Sequence, residues 1–349
     1  MSKVKFWFFN ARPVSLPQSM MPALVAAFLA RKYSDFKWYL ALISLIGVAF
    51  AHLSLNLFDD FFDYRNAQQG DRSALAREGF RAQTVKCPYL QDGTVTPKQW
   101  LFVSCLFGLI ACCFGVPVLI LRGIRIFYIV LGVAILGIFY SAPPLKLGYH
   151  GLGEIIIGLI FGPALGIGMS IASSGEFHAS EVMVSCAIGL LVINILFVHS
   201  IMDYAADQKA GKKTLAALVS PRKRSEENGL VNTSNGPYVT LALVNFIPYI
   251  LVMTAFFLHW ISAYFLVVLL ALPWSIALFS SMLQFRKDPF GKAEKKWWYG
   301  RFAHWEEILG AGIDWFMLRW YLAQKISTVF SIMCILASLA DMIAKMTQL

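Results

Sequence analysis

The chain has 349 residues, of which 58% are hydrophobic and only 14% charged, and its mean hydropathy is +0.62. This balance excludes a water-soluble globular protein of such length and indicates an integral membrane protein. The net charge of +10 requires no nucleic acid partner, because basic loops beside a bilayer already follow from membrane topology.

Apolar windows recur along the chain at the length that crosses the hydrocarbon core as a helix, which is about 20 residues. Nine such windows lie at residues 17–31, 38–58, 100–121, 124–140, 152–172, 181–201, 237–257, 260–283 and 323–344. The first is short and interrupted by Pro22, which also leaves open a tilted or re-entrant segment. The sequence therefore predicts an all-α integral membrane fold of about nine transmembrane helices, formed by residues 1–349 as one domain.

The distribution of Lys and Arg predicts the orientation of these spans. Most of the 30 basic residues precede the first window or lie in alternate connections, including two long polar loops at 56–99 and 199–236. Because cytoplasmic loops are enriched in basic residues, we expect the N-terminus and both loops to be cytoplasmic, in a plasma or inner membrane. The N-terminus shows no cleavable signal, and the six cysteines form no C-x-x-C pair, so neither a zinc site nor a disulfide framework is expected.

Three carboxylates follow the second window in the stretch NLFDDFFDY, residues 56–64. If the helix continues through this stretch, Asn56 and Asp60 lie one turn apart, as do Asp59 and Asp63. Like charges at this spacing repel each other unless a cation lies between them. Carboxylates so close to hydrocarbon are costly, so the pattern predicts a functional site.

A second acidic stretch, DYAADQKAGKKTLA, follows the sixth window, and in it Asp203, Asp207 and Gly211 repeat at a spacing of four. This spacing predicts that the carboxylates stack on one helix face. Because an even number of spans separates the two acidic stretches, both lie on the same side of the membrane. A parallel duplication of a four-helix unit would give this arrangement.

The two acidic stretches together predict a metal-bound diphosphate ligand. They offer only oxygen ligands, and a few carboxylates shared with phosphate oxygens are the usual way in which proteins hold Mg²⁺. Basic residues near the stretches, among them Lys86, Lys146 and Lys212, imply that the remaining ligand is anionic. The rest of that ligand should be apolar, since the site lies beside lipid-facing helices.

The two stretches resemble the paired aspartate motifs of the UbiA superfamily of intramembrane prenyltransferases. Other parts of the chain are similar to its 1,4-dihydroxy-2-naphthoate branch, which acts in menaquinone biosynthesis. They are ARPVSLP at 11–17, QGD at 69–71, DGTVTPKQW at 92–100, YSAPPLKLGYHGLGE at 140–154 and Gly162. The resemblance extends from residue 11 to about 219. It implies helices around a central cavity and Mg²⁺-dependent transfer of a polyprenyl chain from its diphosphate to an aromatic acceptor, with loss of the acceptor carboxylate as carbon dioxide.

The resemblance also implies roles for individual residues. Four carboxylates would hold the metal and support catalysis: Asp60, Asp63, Asp203 and Asp207. Seven residues would contact the substrates: Asn56, Asp59, Lys86, Lys146, Lys212, Arg12 and Tyr140. The three lysines among them would bind the diphosphate, and Arg12 would bind the acceptor carboxylate through two hydrogen bonds. Five aromatic rings would stabilise an allylic carbocation: Phe58, Phe61, Phe62, Tyr64 and Tyr140.

Several alternatives remain open from the sequence. The aspartates indicate a diphosphate donor but do not identify the acceptor. A hydroxybenzoate, homogentisate, haem or lipid alcohol is therefore also an open alternative as acceptor. At the second motif the chain has Met202 before Asp203, where the naphthoate branch usually has Arg. An ion transporter would place acidic residues deep within spans and show inverted symmetry. A soluble polyprenyl synthase shares the D-D-x-x-D pattern but not the spans.

A third polar stretch, residues 286–321, mixes charged and aromatic side chains. Its pattern predicts either a Trp-rich connection with snorkelling basic side chains or an interfacial amphipathic helix. No functional role is assigned to it from the sequence.

Overall fold

The computed structural model describes residues 3–65, 88–209, 211–220, 234–289, 291 and 294–347. Across these ranges the regular secondary structure is helical, and no β-strand is present. Eight helices are long and apolar enough to cross a membrane, and a shorter apolar helix spans Ile124–Ile138. The expectation of an all-α membrane fold with about nine spans is therefore confirmed.

The helices are numbered in chain order. The nine apolar helices are α2 (Pro17–Ala30), α3 (Trp38–Arg65), α5 (Pro97–Arg122), α6 (Ile124–Ile138), α7 (Gly153–Ser174), α8 (Ala179–Met202), α11 (Gly236–Phe257), α12 (Ala263–Lys287) and α14 (Asp314–Met346). The short helices between them are α1 (Lys3–Asn10), α4 (Pro88–Gln91), α9 (Tyr204–Lys209), α10 (Leu215–Leu218) and α13 (Trp305–Gly310). Two apolar helices are irregular: α7 contains a π-helical turn at Ile160–Ala164, and α12 begins as a 3₁₀ helix at Ala263–Ala271.

Successive apolar helices alternate in direction, so α3 and α8 both end at the same end of the bundle. We call this the motif end, because it carries both acidic stretches, and the opposite end the far end. Helix α2 runs between the two ends: Arg12, just before it, contacts Asp59, while the carbonyl of Phe28 accepts a hydrogen bond of 2.9 Å from Ser338 of α14. The first apolar window is thus a spanning helix and not a re-entrant one.

Helices α3 and α5 form a close pair because each carries a stripe of large apolar residues at helical spacing. Leu53, Leu57 and Phe61 of α3 are buried against Trp100 and Phe107 of α5. The Trp100 indole donates a hydrogen bond of 2.9 Å to the carbonyl of Leu57, so its polar group is satisfied. This pairing fixes the last turns of α3, which carry the first acidic stretch.

Helix α8 lies at the centre of the bundle, packed against α7, α11 and α14. Its Asn194 donates a hydrogen bond of 2.9 Å to Asn245 of α11, and Asn245 donates one of 3.0 Å to the carbonyl of Ser275 in α12. Side-chain amides that bond across helices stabilise membrane bundles, since hydrocarbon offers no other partner. The second acidic stretch therefore emerges from the most constrained helix of the fold.

Small residues allow α7 and α8 to approach closely. Gly162 in the π-helical turn has non-helical angles, φ −96° and ψ −108°. A Cβ atom added to it would lie 2.6 Å from the Cα of Gly189 and 2.8 Å from the carbonyl oxygen of Ser185. Such backbone-to-backbone contact is typical of small-residue interfaces between membrane helices.

Two ion-pair clamps close the far end, and both start from the connection between α2 and α3. In the first, Arg122 at the end of α5 binds the carboxylate and the carbonyl of Asp35, and also donates to the carbonyls of Ala172 (3.2 Å) and Ser173 (2.8 Å). One guanidinium thus joins three segments of chain.

In the second clamp, Lys32 pairs with the buried carboxylate of Glu181 at 2.9 Å. The same carboxylate accepts hydrogen bonds from the hydroxyl of Tyr33 (2.9 Å) and the backbone N–H of His178 (2.8 Å). Burial, together with the Glu181 charge, raises the pKa of Tyr33 above its ordinary value, so the phenol stays protonated and donates. The start of α8 is thereby held to the end of α2.

We expect acid to weaken the first clamp. The Arg122 guanidinium, through its hydrogen bond and its charge, lowers the pKa of Asp35 below its ordinary value of 3.8. A carboxylate with a depressed folded-state pKa stabilises the fold above its unfolded pKa, and this contribution is lost as pH falls through the folded value. Asp35→Asn should therefore lower Tm by only about 1–3 °C at pH 7 and flatten the loss of Tm below pH 4. Glu176→Gln is the matched control, and an unchanged acid profile in Asp35→Asn would contradict the expectation.

The structure adds detail to two sequence-based expectations about local structure. The repeat at a spacing of four does not extend as a helix to Gly211, because α9 stops at Lys209 and Gly211 adopts a positive φ of 69°, which turns the chain. Of the two alternatives for residues 286–321, the described part of this stretch does not form a single interfacial helix. It contains a 3₁₀ turn at Trp297–Tyr299 and α13, and from Asp314 onward it already forms the first turns of α14.

Candidate active site

The first acidic stretch is helical throughout, as predicted, since α3 continues to Arg65. Asp60 and Asp63 are almost fully buried, with 6% and 5% of their surface exposed, although they lie within one turn of each other. Asp59 is more open, with 19% of its side chain exposed. Carboxylates at this spacing repel one another, so the stretch requires positive charge or hydrogen-bond donors nearby.

One source of positive charge is Arg12. Its guanidinium lies 3.2 Å from Oδ2 of Asp59 and 3.4 Å from Oδ1 of Asp60, and it donates a hydrogen bond of 3.1 Å to the carbonyl of Asn56. Arg12 was predicted from the sequence as a ligand of the acceptor carboxylate. The structure brings it to the site, but its partners there are the carboxylates of the protein itself.

Asn56 faces residues 11–19, which we call the N-terminal segment. Its side-chain N–H groups donate to the carbonyl of Ala11 at 2.9 Å and to the hydroxyl of Ser15 at 3.0 Å. Asn56, which was predicted to contact a substrate, therefore holds the segment that carries Arg12 against α3.

The second acidic stretch also brings two buried carboxylates together. Asp203 and Asp207 expose 2% and 4% of their surfaces, and the N–H of Asp207 bonds to the carbonyl of Asp203 at 2.9 Å, as in a helical turn. His199, one turn earlier, places Nδ1 3.3 Å from Oδ2 of Asp203. The N–H of Lys212 donates to the carbonyl of Asp207 at 2.8 Å. The chain therefore folds back and brings the basic residue Lys212 next to this turn.

The loop between α6 and α7 connects the two acidic stretches. Ser141 donates a hydrogen bond to Asp59, and the hydroxyl of Tyr149 donates one to Asp63. On the other side, the Tyr149 carbonyl accepts from the N–H of Lys213 at 3.3 Å, and the Lys212 ammonium lies 5.7 Å from the centre of the Tyr149 ring. Tyr149 thus contacts both halves of the site.

Glu154, at the end of the same loop, anchors the segment that follows Asp207. It is 4% exposed, accepts a hydrogen bond from Ser200 of α8, and accepts from the backbone N–H of Leu215 at 3.2 Å. Sequence reasoning assigned no role to Ser141, Tyr149 or Glu154. Their only signal was their position inside the quoted stretch YSAPPLKLGYHGLGE.

The remaining predicted residues are placed less directly. The Tyr140 ring packs over Gly148 and Gly153, where a Cβ would lie 3.0 Å and 3.2 Å from ring atoms, so its position is fixed by the loop. Lys146 is half-buried in a left-handed conformation with φ 42°. Lys86 lies outside the described residues.

Three of the predicted carbocation-stabilising rings of α3 contact one another on the turns that carry the carboxylates. Phe58 and Phe62 stack with centroids 6.4 Å apart, and Phe61 meets Phe62 edge-on at 5.2 Å. Phe61 is buried, while Phe58, Phe62 and Tyr64 are partly exposed. A ring face is therefore available only from the partly exposed members.

The donor set at the motif end fits Mg²⁺. It comprises two buried carboxylates from the end of α3 and two from the turn after α8, with no thiolate or apolar ligand among them. In the described part of the chain, no three Asp, Glu, His or Cys side chains are close enough to hold an ion on their own. Mg²⁺ usually takes only one or two protein carboxylates and completes its shell with water and phosphate oxygens, so each pair suits it.

Comparison with known proteins agrees with this chemistry. The sequence profile of the UbiA prenyltransferase family matches residues 19–306. The chain is 26% identical over 213 residues to 1,4-dihydroxy-2-naphthoate octaprenyltransferase of Bacillus subtilis, covering 60% of this chain and 64% of the relative. It is 29% identical over 224 residues to UbiA prenyltransferase domain-containing protein 1 of Dictyostelium discoideum, covering 62% and 64%. Each match thus spans less than two thirds of the relative.

The fold is also similar to that of a solved UbiA homologue from Archaeoglobus fulgidus, described as bound to GPP and Mg²⁺. The TM-score is 0.55 at 15% identity, and the alignment covers 96% of this chain and 98% of the other. At such low identity the likeness concerns the arrangement of the helices.

Proposed function

The chain belongs to the UbiA prenyltransferase family, and we propose that it transfers a polyprenyl chain from polyprenyl diphosphate to 1,4-dihydroxy-2-naphthoate. The observation that carries this proposal is that two pairs of buried carboxylates, Asp60 with Asp63 and Asp203 with Asp207, lie at the same end of a membrane bundle. Tyr149 contacts both acidic stretches there. Buried acids that share a site with lysines, beside lipid-facing helices, suit an anionic head on an apolar tail.

The donor side of the reaction rests on the carboxylates and their basic neighbours. The four aspartates would hold Mg²⁺, as the GPP and Mg²⁺ complex of the A. fulgidus homologue supports. Mg²⁺, when bound, supplies neutralisation of the charge that develops on a departing diphosphate. The backbone of Lys212 bonds to the second acidic turn and Lys146 lies in the loop between α6 and α7, so we assign both, with Lys86 as a third candidate, to the binding of diphosphate oxygens.

The protein then has to protect an allylic carbocation. Phe58, Phe62 and Tyr64 are partly exposed on the last turns of α3, the turns that also carry Asp60 and Asp63, and we assign this role to them. Ring faces stabilise a nearby cation through their quadrupole, and the surrounding helices exclude water that would otherwise capture it.

The acceptor proposal rests on the names of the relatives and on Arg12. The B. subtilis relative is a 1,4-dihydroxy-2-naphthoate octaprenyltransferase. Arg12 has 41% of its side chain exposed, so its guanidinium is accessible to an acceptor carboxylate while it remains beside Asp59. Loss of that carboxylate as carbon dioxide would accompany transfer. Another aromatic or lipid acceptor is the alternative outcome.

The proposed setting is a single polytopic domain, residues 1–349, in the plasma or inner membrane. Both acidic stretches and the segment that carries Arg12 lie at the motif end, where the long basic connections begin and end. The positive-inside rule assigns this end to the cytoplasm. Polyprenyl diphosphate and a soluble aromatic acid would then reach the site from that side.

The test uses membranes that contain the protein, supplied with a long-chain polyprenyl diphosphate and 1,4-dihydroxy-2-naphthoate, with and without Mg²⁺. Mass spectrometry should detect Mg²⁺-dependent prenylated product together with an equal amount of carbon dioxide. Product formed only with hydroxybenzoate or another acceptor would refute 1,4-dihydroxy-2-naphthoate as the acceptor. It would leave polyprenyl diphosphate as the donor. No product with any acceptor would refute prenyl transfer and favour an ion transporter.

Tyr149→Phe is expected to weaken the use of Mg²⁺ and diphosphate, because it removes the hydrogen bond to Asp63 and keeps the ring under Lys212. The concentration of Mg²⁺ for half-maximal rate should rise roughly 10-fold, in line with other outer-shell partners of metal ligands. Tyr128→Phe, an exposed residue of α6, is the matched control. An unchanged Mg²⁺ dependence in Tyr149→Phe would show that the bond to Asp63 has no such role.

A further inference from the structure

A buried histidine lies one turn below the first acidic stretch and has no part in the reaction described above. His52 of α3 is 5% exposed, and its ring packs 4.7 Å from that of Phe161 in α7. Nε2 lies 3.2 Å from the hydroxyl of Ser15, and Nδ1 lies 2.6 Å from the hydroxyl of Ser19. Both serines belong to the N-terminal segment that also carries Arg12.

Contacts between α3 and this segment recur at every turn. His52, Asn56 and Asp60 follow at a spacing of four and so share one face of α3. Each meets the segment: His52 at Ser19 and Ser15, Asn56 at Ser15 and Ala11, and Asp60 at Arg12. Of these three residues, His52 lies farthest from the motif end of α3, and Asp60 belongs to the acidic stretch itself.

Counting hydrogens orients the contact. We assign the single hydroxyl hydrogen of Ser15 to the shorter of its two contacts, 2.8 Å to the carbonyl of Arg12 against 3.2 Å to Nε2 of His52, and the Ser15 oxygen accepts from Asn56. With this assignment Nε2 of His52 donates to Ser15. In the neutral ring Nδ1 is then the acceptor, and Ser19 donates to it in preference to the carbonyl of Leu16, which is 3.1 Å away.

Ser15 therefore links His52 to the backbone of Arg12. Arg12 adopts a left-handed conformation, φ 59° and ψ 58°, which non-glycine residues occupy only when their surroundings enforce it. The hydrogen bond from Ser15 to the Arg12 carbonyl is one element that holds this conformation. With it the guanidinium is directed at Asp59 and Asp60.

We propose that His52 is a positioning residue of the transferase site, which acts through Ser15 to hold the Arg12 guanidinium against Asp59 and Asp60. The inference rests on the proposed function for its kinetic consequence, since it concerns the same site. It assigns to His52 a specific hydrogen bond, from Nε2 to Ser15, and not merely the filling of space next to Phe161.

Two substitutions separate these roles. His52→Gln places a side-chain amide near the former position of Nε2 and keeps the donor to Ser15, whereas His52→Asn reaches only the position of Nδ1. His52→Asn should lower kcat/KM roughly 10- to 100-fold, as loss of an outer-shell partner does. His52→Gln should stay within about 3-fold of wild type, less than that range. His259→Asn, at an exposed turn of the far end, controls for loss of a histidine.

A double-mutant cycle tests whether His52 acts through Ser15 and Arg12. If His52 acts through Arg12, His52→Asn should change kcat/KM little further in an Arg12→Ala background, and Ser15→Ala should behave in the same way. Additive losses, or equal losses in His52→Gln and His52→Asn, would overturn the proposal. Ser15→Ala keeps the test decisive if His52→Asn fails to fold.

The same cycle measured as Tm requires no turnover. Non-additive losses of Tm between His52→Asn and Arg12→Ala support the link, and additive losses contradict it. Absence of any prenylated product from the wild-type protein would refute the proposed function, while the Tm cycle would still decide whether His52 positions Arg12.

Discussion

Asp60→Asn is expected to abolish prenyl transfer, with a loss of kcat on the order of 10²–10³-fold or more, while the protein remains folded. The substitution keeps the shape of the side chain and removes its charge. That charge is buried at the end of α3, lies 3.4 Å from Arg12, and is one of the four proposed Mg²⁺ ligands. A neutral amide would bind Mg²⁺ poorly and would remove the charge that Arg12 meets at Asp60.

The measurement compares transfer rates in detergent-purified protein whose Tm and elution profile match wild type. Asp207→Asn should give the same loss from the other half of the site. Asp341→Asn, near the far end of α14, should transfer at the wild-type rate. Wild-type turnover by well-folded Asp60→Asn would remove the central residue of the proposed mechanism.

Gly162→Ala is expected to cause a large loss of stability. The added Cβ would lie 2.6 Å from the Cα of Gly189 and 2.8 Å from the carbonyl oxygen of Ser185, and both are backbone atoms that cannot rotate away. Helices α7 and α8 would have to separate. Overpacking of this kind costs roughly 1–3 kcal/mol, and more where backbone opposes backbone.

Thermal unfolding in detergent provides the measurement, with Gly115→Ala as the matched control. Gly115 lies in α5 and has no atom within 4 Å of the position that a Cβ would occupy, so its replacement should leave Tm unchanged or raise it slightly. If Gly162→Ala retained the wild-type Tm, the two helices would be packed more loosely than the structure indicates.

Much of the architecture was predictable because membrane helices have a strong local signal. Apolar windows near 20 residues identified the spans, and the four-residue spacing in NLFDDFFDY predicted the helical continuation through Asp63. The even separation of the two acidic stretches predicted that they share one end. These properties depend on residues near each other in sequence or on counting spans.

What escaped prediction depends on contacts between distant segments. Tyr149 lies 86 positions from Asp63, its hydrogen-bond partner, and no periodicity reports such a pairing. Arg12 was predicted to contact the acceptor, but the sequence could not show that it lies beside carboxylates of the protein itself. His52 sits among apolar residues of a span and has no local pattern that distinguishes it from a packing residue.

The break at Gly211 was missed for a different reason. A spacing of four between Asp207 and Gly211 matches a helix, and only the positive φ of the glycine reveals that the chain turns there. The same limit applies to residues 286–321, where the apolar count alone did not reveal that α14 begins at Asp314. Helix ends are set by individual backbone angles and partners, which composition averages out.

The connection between α2 and α3 carries Lys32, Tyr33 and Asp35, and these residues are held from two directions, by Glu181 of α8 and by Arg122 of α5. Its length is therefore fixed at both ends by electrostatic contacts. An insertion there would have to break one pair or the other, and would release either α5 or α8 from the connection.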